Sequence, residues 1–433
     1  MIPTILICLA TCGAMIAGVL FFPTLRFGKW RVDSYWVITL LGALLLLALG
    51  LADVGRVGAA LVSDDAINPV KILVLFISMT VLSIFLDELG FFSHLANVTL
   101  RRAGTSQTRL FLYLYLTVSV LTVFTSNDII ILSFTPFICY FAKRAGISPM
   151  PYLAAEFVAA NTWSMTLVIG NPTNIYLSQA YGIPFLDYTA KMLLPTLAAG
   201  TVAFLVMLWL YRKKLAEPIS GEPEESSIED KPQLIVGLAH LGVCTAVLAV
   251  GSYVGLPMWL VSLAAALSLL AWALGFAAVR RKKPQELLSC LRRAPWQLIP
   301  FVLSMFVLVI GLSESGVTAG IASLLGEGGT VLKYGLVSFL ASNVINNIPM
   351  SVLFCSVIEH VPPALTQQAV LATVVGSNIG AFLTPIGALA GIMWSSILKS
   401  HDLKFGYLDF LKLGLSVALP TILTALGVLA LQF

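Results

Sequence analysis

The stretch Ser78–Gly90, SMTVLSIFLDELG, returns as Ser304–Gly316, SMFVLVIGLSESG. Eight of thirteen positions are identical at a constant shift of 226 residues. Apolar composition inflates such matches, but it does not account for the shared Glu88/Glu314 and Gly90/Gly316. One unit used twice must fold as two related halves. In a membrane protein this is the plan of carriers whose solute site lies between the copies.

The surroundings of the repeat place it in a bilayer. The chain has 433 residues, 58% of them hydrophobic and 11% charged, against about 25% charged in soluble proteins. Runs such as Leu256–Ala278 are long enough for a hydrocarbon core of ~30 Å. They do not alternate polar and apolar residues, which excludes a β-barrel. The fold class read from this is an all-α polytopic membrane protein. No Gly-x-x-x-x-Gly-Lys-Ser/Thr run occurs, so there is no built-in P-loop ATPase. The six cysteines (Cys8, Cys12, Cys139, Cys244, Cys290, Cys355) are scattered through apolar segments and read as buried structural thiols. Cys8 and Cys12 share a helix face where a soft metalloid could bind. The four histidines are dispersed. No metal site, cofactor or nucleic-acid partner is expected.

Apolar runs bounded by charge, Pro or Gly give spans near 2–22, 35–52 and 69–86, then an amphipathic stretch over 88–104. A helical pair follows, 109–126 and 129–143, meeting at Thr125–Asp128. Next comes a helix interrupted around Asn161 and at Gly170–Asn174, then a span over 186–211. The second half repeats the order: 233–251, 256–279, 296–313, a short amphipathic stretch, and a pair meeting at Asn346-Asn347. A helix broken around Gly376–Pro385 and a last span over 407–431 complete it. The expected division is a first membrane repeat over 1–214, a cytoplasmic acidic linker over 215–233, and a second membrane repeat over 234–433. The linker, LAEPISGEPEESSIEDKPQ, reads as a flexible connector.

Lys and Arg set the expected orientation. With a retained first helix entering from outside, the inner loops collect Arg26–Arg31, Arg101–Arg109, Lys143–Arg144, Arg212–Lys214, Arg280–Lys283, Arg292–Arg293 and Lys399–Lys404. The outer loops keep Arg56, Lys71, Lys191 and Lys333, a strong positive-inside bias. Five crossings plus one pair in each half would make the second repeat inverted relative to the first. Only about 13 residues separate Asn347 from the break at His360–Pro363, roughly 20 Å of helix. Re-entrant hairpins are therefore expected.

Non-helical backbone at membrane depth survives only inside protein or beside a wet cavity. Four breaks are expected to form the solute and ion site. Their residues are Ser126, Asn127 and Asp128; Asn161, Thr162, Gly170, Asn171 and Asn174; Asn346 and Asn347; and Ser377, Asn378, Thr384 and Gly387. The expected repeat partners are Asn127 with Asn346, Asp128 with Asn347, Asn161 with Asn378, and Gly170 with Gly387. Amides that merely cap and glue broken helices are the alternative for any single Asn. Asp128 is the only acid on a tip, and a carboxylate there is costly unless it binds a cation, pairs or takes a proton. It is the expected proton-coupling group. Glu156 is either a second proton group or an outward-facing helix-end residue. Asp87, Glu88 and Glu314, at span ends, are expected to shape helix junctions.

Several stretches carry a resemblance: LDELGFF (Leu86–Phe92), SNDIIILSFTPF (Ser126–Phe137), RRAPWQLIPF (Arg292–Phe301), INNIP (Ile345–Pro349), GSNIGAFLTPIGALAGIMW (Gly376–Trp394) and LPTILTALGVLAL (Leu419–Leu431). On these the chain resembles the ion transporter superfamily, specifically arsenite efflux pumps of the ArsB type and the related NhaD sodium/proton antiporters. Arsenite pumps of this type usually carry acids where this chain has Asn161 and Asn378, and a serine where it has Ala388. The resemblance implies two inverted repeats, each with about five transmembrane helices, a re-entrant hairpin and one broken helix. It also implies the plasma membrane of a bacterium, a mobile transport part, often a homodimer, and in some members a separate soluble ATPase.

The reading that results is a secondary transporter exporting a small inorganic solute, arsenite or antimonite, with protons as coupling ion and the lipid bilayer as setting. A sodium/proton antiporter and a sodium-coupled anion or dicarboxylate transporter stay open. So does a channel, which conductance above carrier rates would reveal. No nucleophile–base constellation suggests an enzyme.

Overall fold

The computed structural model describes residues 2–22, 24–27, 30–63, 68–219 and 230–433. The first half runs through helix α1 (Ile2–Phe21), strands β1 (Thr24–Phe27) and β2 (Trp30–Asp33), α2 (Ser34–Ala48), α3 (Val54–Val62), α4 (Pro69–Glu88), α5 (Phe91–Ala103), α6 (Gln107–Phe124), α7 (Asn127–Ala145), α8 (Met150–Trp163), α9 (Pro172–Ala180) and α10 (Phe185–Leu215). The second half follows with α11 (Lys231–Gly251), α12 (Met258–Val279), α13 (Gln285–Arg293), α14 (Leu298–Glu314), α15 (Val317–Leu325), α16 (Thr330–Ile345), α17 (Asn347–Ile358), α18 (Pro363–Gly380), α19 (Leu389–Ser400) and α20 (Tyr407–Ala430). Each helix of the first half thus has a counterpart ten helices later. The fold is all-α and built for a membrane: eight of the described helices are long and apolar enough to cross one.

The halves interlock by exchange. Helix α12 packs on α4 while its counterpart α2 packs on α14, and α9 packs on α17 while α19 packs on α7. The opening repeat is explained by the same exchange. Gly90 and Gly316 both sit at φ +76, directly after α4 and α14, where a side chain would be strained. Glu88 is bound by Arg293 of α13, whose other guanidinium nitrogen reaches Asp87 at 2.6 Å. Glu314 accepts from Arg56 of α3 at 3.3 Å and from the Asp53 N–H at 3.1 Å. Each repeated glutamate is therefore held by the short amphipathic helix of the other half. These acids shape helix junctions, as their positions at span ends suggest.

Among the described residues, several contacts join segments that the Lys/Arg count places on one side. Ile219 N–H donates to the Thr105 carbonyl at 2.9 Å, and Arg280 pairs with Asp230 at 2.8 Å. On the opposite side, Tyr253 donates to Asp187 at 2.9 Å, and Lys191 to the Gln432 carbonyl at 2.9 Å. Helices α16 and α18 approach closely on small residues. A Cβ on Gly376 would lie 2.1 Å from Ser338 Oγ and 2.3 Å from the Gly335 carbonyl, the close backbone packing expected where lipid gives no hydrophobic drive.

Four features differ from the sequence reading. Helices α3 and α13 and the β1–β2 hairpin were not expected. Helix α10 continues to Leu215 and α11 starts at Lys231, so the connector is shorter than 215–233, and its residues 220–229 lie outside the described residues. Asn161 and Asn378 do not interrupt their helices: each lies in the last turn of α8 or α18. The backbone leaves the helix only after them, over 164–171 and 381–388.

Candidate functional site

The chain unwinds after α8 and α18, and it turns at the α6–α7 and α16–α17 tips. All four places converge through hydrogen bonds among buried amides. Asn161 can stay helical because its Nδ2 donates back to the Phe157 carbonyl at 2.8 Å, and Asn378 does the same to Val374 at 2.8 Å. Such back-bonding uses an i−4 acceptor within the helix. Their other atoms are then aimed across the structure.

Asn127 Nδ2 donates to Asn161 Oδ1 at 3.0 Å, tying the first tip to the first broken helix. Asn378 Oδ1 accepts from Ser164 Oγ at 2.8 Å and from Asn171 Nδ2 at 3.0 Å. Asn378 Nδ2 donates to Asn174 Oδ1 at 2.7 Å. Asn174 Nδ2 in turn donates to the Ser164 and Leu167 carbonyls at 2.8 and 3.1 Å, holding the unwound backbone. Asn171 caps α9 by accepting from Thr173 N–H at 3.1 Å. In the second half, Asn347 N–H donates to the Gly387 carbonyl at 3.0 Å, and Asn346 Nδ2 to the Ile386 carbonyl at 2.9 Å. Thr384 donates to Asn343 Oδ1 at 2.7 Å. Glycine is required where these strands cross. A Cβ on Gly170 would meet the Ser164 carbonyl at 2.2 Å, and one on Gly387 the Gly380 carbonyl at 2.6 Å.

The cap geometry resets the repeat register. Ser126 and Asn346 are the N-caps, each accepting the backbone N–H two residues on, from Asp128 and Ile348. Asn127 is therefore the counterpart of Asn347, and Asp128 that of Ile348. The pairings of Asn127 with Asn346 and Asp128 with Asn347 are one residue out. An independent observation agrees: the buried side-chain oxygens without a partner include Asn127 Oδ1 and Asn347 Oδ1, and Thr162 Oγ1 and Ser377 Oγ beside the two helix-end asparagines. Buried polar atoms are nearly always bonded, so these four atoms, of which Asn127 Oδ1 and Asn347 Oδ1 are repeat-related, are places where something else can bind. They suit a hydroxyl donor or a hard cation.

Asp128 stands at the rim of this network and not in it. Its N–H is capped by Ser126 at 3.3 Å. Its half-buried carboxylate has no hydrogen bond or ion pair among the described residues. Glu156 is fully buried, not outward-facing, and accepts from Thr135 Oγ1, 2.8 and 3.0 Å from its two oxygens. It sits one turn below Asn161 with no cation beside it in the described residues. Two members escaped the sequence reading. Ser164 links Asn161, Asn378 and Asn174, and Asn343 buttresses Thr384 and the Gly380 carbonyl at 3.0 Å. The sequence signal for either was a polar residue three positions from a flagged asparagine.

Comparison with known proteins places this architecture. Residues 30–372 match the family described as citrate transporter, CitMHS. The arsenical pump membrane protein of Escherichia coli K12 is 29% identical over 442 residues, covering 96% of this chain and 99% of that protein. A putative arsenical pump membrane protein of Bacillus subtilis is 24% identical, covering 94% and 97%. An uncharacterized transporter of Mycobacterium tuberculosis is 25% identical, covering 85% and 90%. The crystal structure of the YdaH transporter of Alcanivorax borkumensis superposes with a TM-score of 0.57 at 15% identity, covering 99% of this chain and 97% of that one. The shared fold and the length of these matches make the chain a multi-pass transporter of the bacterial cell membrane, and it belongs to the citrate transporter (CitMHS) family within the ion transporter superfamily.

Proposed function

We propose that this chain exports arsenite or antimonite in exchange for protons, through two repeats of opposite orientation with the connector on the cytoplasmic side. The observation that carries this reading is the chemistry of the network: amides and hydroxyls with four orphan oxygens, and no Lys or Arg among its members. A neutral trihydroxide such as As(OH)₃ donates and accepts hydrogen bonds and needs no counter-charge. A tricarboxylate would leave its charge unpaired in such a site, at high cost. The names of the arsenical pump relatives point the same way. Asp128, free and beside the first tip, supplies a group that can take up and release the coupling proton, with Glu156 as the second candidate. Transport by alternating exposure of such a site involves no catalytic step.

One specific observation favours a second reading. Asp128 follows Asn127 in the chain, Asn127 Oδ1 is an orphan, and carboxylate and amide oxygens are ligands for a hard cation. That arrangement fits sodium/proton exchange. Purified protein in liposomes separates the readings. Arsenite, antimonite, sodium, citrate and succinate are tested in turn under imposed proton and sodium gradients. Arsenite accumulation driven by the proton gradient is the expected result. Sodium movement without any arsenite movement would select the second reading, and citrate or succinate uptake alone would overturn both.

A further inference from the structure

Cys8 and Cys12 lie one turn apart on α1, buried and free, at 5% and 9% exposure. Residues at i and i+4 have Cβ atoms about 5–6 Å apart on one helix face, so one bridging atom can reach both sulfurs. Both side chains line a cavity of about 190 Å³ between α1, α14, α15 and the second hairpin. A single water needs only ~10–15 Å³ of such space. The rest of the wall is apolar, with Met305, Leu308, Ile345 and Pro349 among its residues.

We propose that this cavity is a dithiol site for a trivalent metalloid hydroxide, arsenite or antimonite, separate from the amide network. The step balances without a redox change. As(OH)₃ and two thiols give a bis-thiolate that keeps one hydroxyl, and two waters leave. Two As–O and two S–H bonds break, and two As–S bonds form. Each thiol proton departs on a leaving hydroxide, and arsenic stays trivalent.

The surroundings favour this product over the free solute. An apolar cavity is a poor place for three hydroxyls, because each unbonded one costs free energy. Exchange for sulfur removes two of them. The third has an acceptor already in place: the Leu308 carbonyl lies 3.8 Å from Cys8 Sγ, facing the thiol proton that the reaction removes. No charge enters the bilayer at any stage. Hard cations find no oxygen cage here, and zinc would lack its usual four ligands. Ile345 and Pro349 flank the Asn346-Asn347 tip, so an occupant also touches the second hairpin.

The full-length protein in detergent, incubated with sodium arsenite and gel-filtered, tests this directly. Wild type should retain one arsenic per chain, with sulfur neighbours in its X-ray absorption spectrum. Cys8→Ala and Cys12→Ala should each lose it, whereas Cys355→Ala, elsewhere in the core, should keep it. Arsenic absent from wild type, bound through oxygen alone, or retained by the Cys8→Ala/Cys12→Ala pair would overturn the proposal. The wild-type spectrum decides even if a variant misfolds. The site does not rest on the transport reading: a wild type that binds arsenic through sulfur yet moves none in liposomes would sink only that reading, and transport by a chain without bound arsenic would sink only this one.

Discussion

Replacing Asn378 by alanine removes the hub of the amide network, and its cost follows from four bonds. Two of them are lost cheaply. The Val374 carbonyl keeps the helical N–H of residue 378, and Ser164 Oγ keeps the Asn161 carbonyl at 2.8 Å. The other two leave orphans: Asn171 Nδ2 and Asn174 Oδ1, in side chains that are 1% and 0% exposed. An unpaired buried polar group costs about 1–3 kcal/mol, so Asn378→Ala should lose about 2–6 kcal/mol. Total stabilities of about 5–15 kcal/mol leave a chain that folds but melts earlier. The six cysteines are free and buried, so a thiol-reactive dye reports unfolding as heat exposes them. The midpoint should fall, and arsenite transport in liposomes should fall further than the folded fraction. The pair with Asn174→Ala should cost less than the sum of the singles, because both remove one bond. A melting curve and a transport rate that coincide with wild type would mean these amides bear neither stability nor substrate.

Three further outcomes follow from single positions. Asp128→Asn should fold and lose proton-driven accumulation while keeping downhill exchange; if it still concentrates solute on a proton gradient, Glu156→Gln becomes the variant that should fail. Gly170→Ala and Gly387→Ala put a methyl 2.2 and 2.6 Å from backbone carbonyls, so both should abolish transport, and normal rates in either would show that the crossing strands can separate. Ser226→Cys, in the connector, should resist impermeant thiol labels added to intact cells, because the buried native cysteines give little background; ready labelling from outside would reverse the proposed orientation.

The order of elements was legible in the sequence because apolar runs punctuated by Pro, Gly and charge map directly onto membrane helices. The positions of the breaks were less so. Asparagine in an apolar run reads as a break, yet Asn161 and Asn378 bond their own i−4 carbonyls and remain helical. The unwinding starts a few residues later. The register error at the tips has a similar origin. Matching Asn to Asn aligned Asn127 with Asn346, whereas the shared cap geometry aligns Ser126 with Asn346. A hydroxyl and an amide can fill one role, and residue identity hides that. Ser164 and Asn343 were invisible for another reason. The contact that gives Ser164 its place, to Asn378, spans 214 residues of chain, and nothing local announces it. Helices α3 and α13 are too short for a span and too amphipathic for a loop. Only the arginines they deliver to Glu314 and Glu88 show what they do.

The corrected register sharpens the asymmetry between the halves. Both repeats present an orphan amide oxygen at the tip, Asn127 Oδ1 in the first and Asn347 Oδ1 in the second. Only the first carries an acid, and its counterpart Ile348 is 6% exposed and apolar. On the proposed reading, solute contacts are shared by both halves while charge change belongs to one. Asp128 is one residue from Asn127, whose amide is bonded to Asn161 at 3.0 Å. On the proposed coupling, a proton arriving at Asp128 alters the charge beside this bond, which ties the first tip to its broken helix. Most of the amides satisfy one another, so an entering solute must replace each bond it breaks, while the orphan oxygens of Asn127 and Asn347 are open to it. A neutral solute can do so at little net cost, and on the proposed coupling the carboxylate beside the tip biases when the exchange occurs.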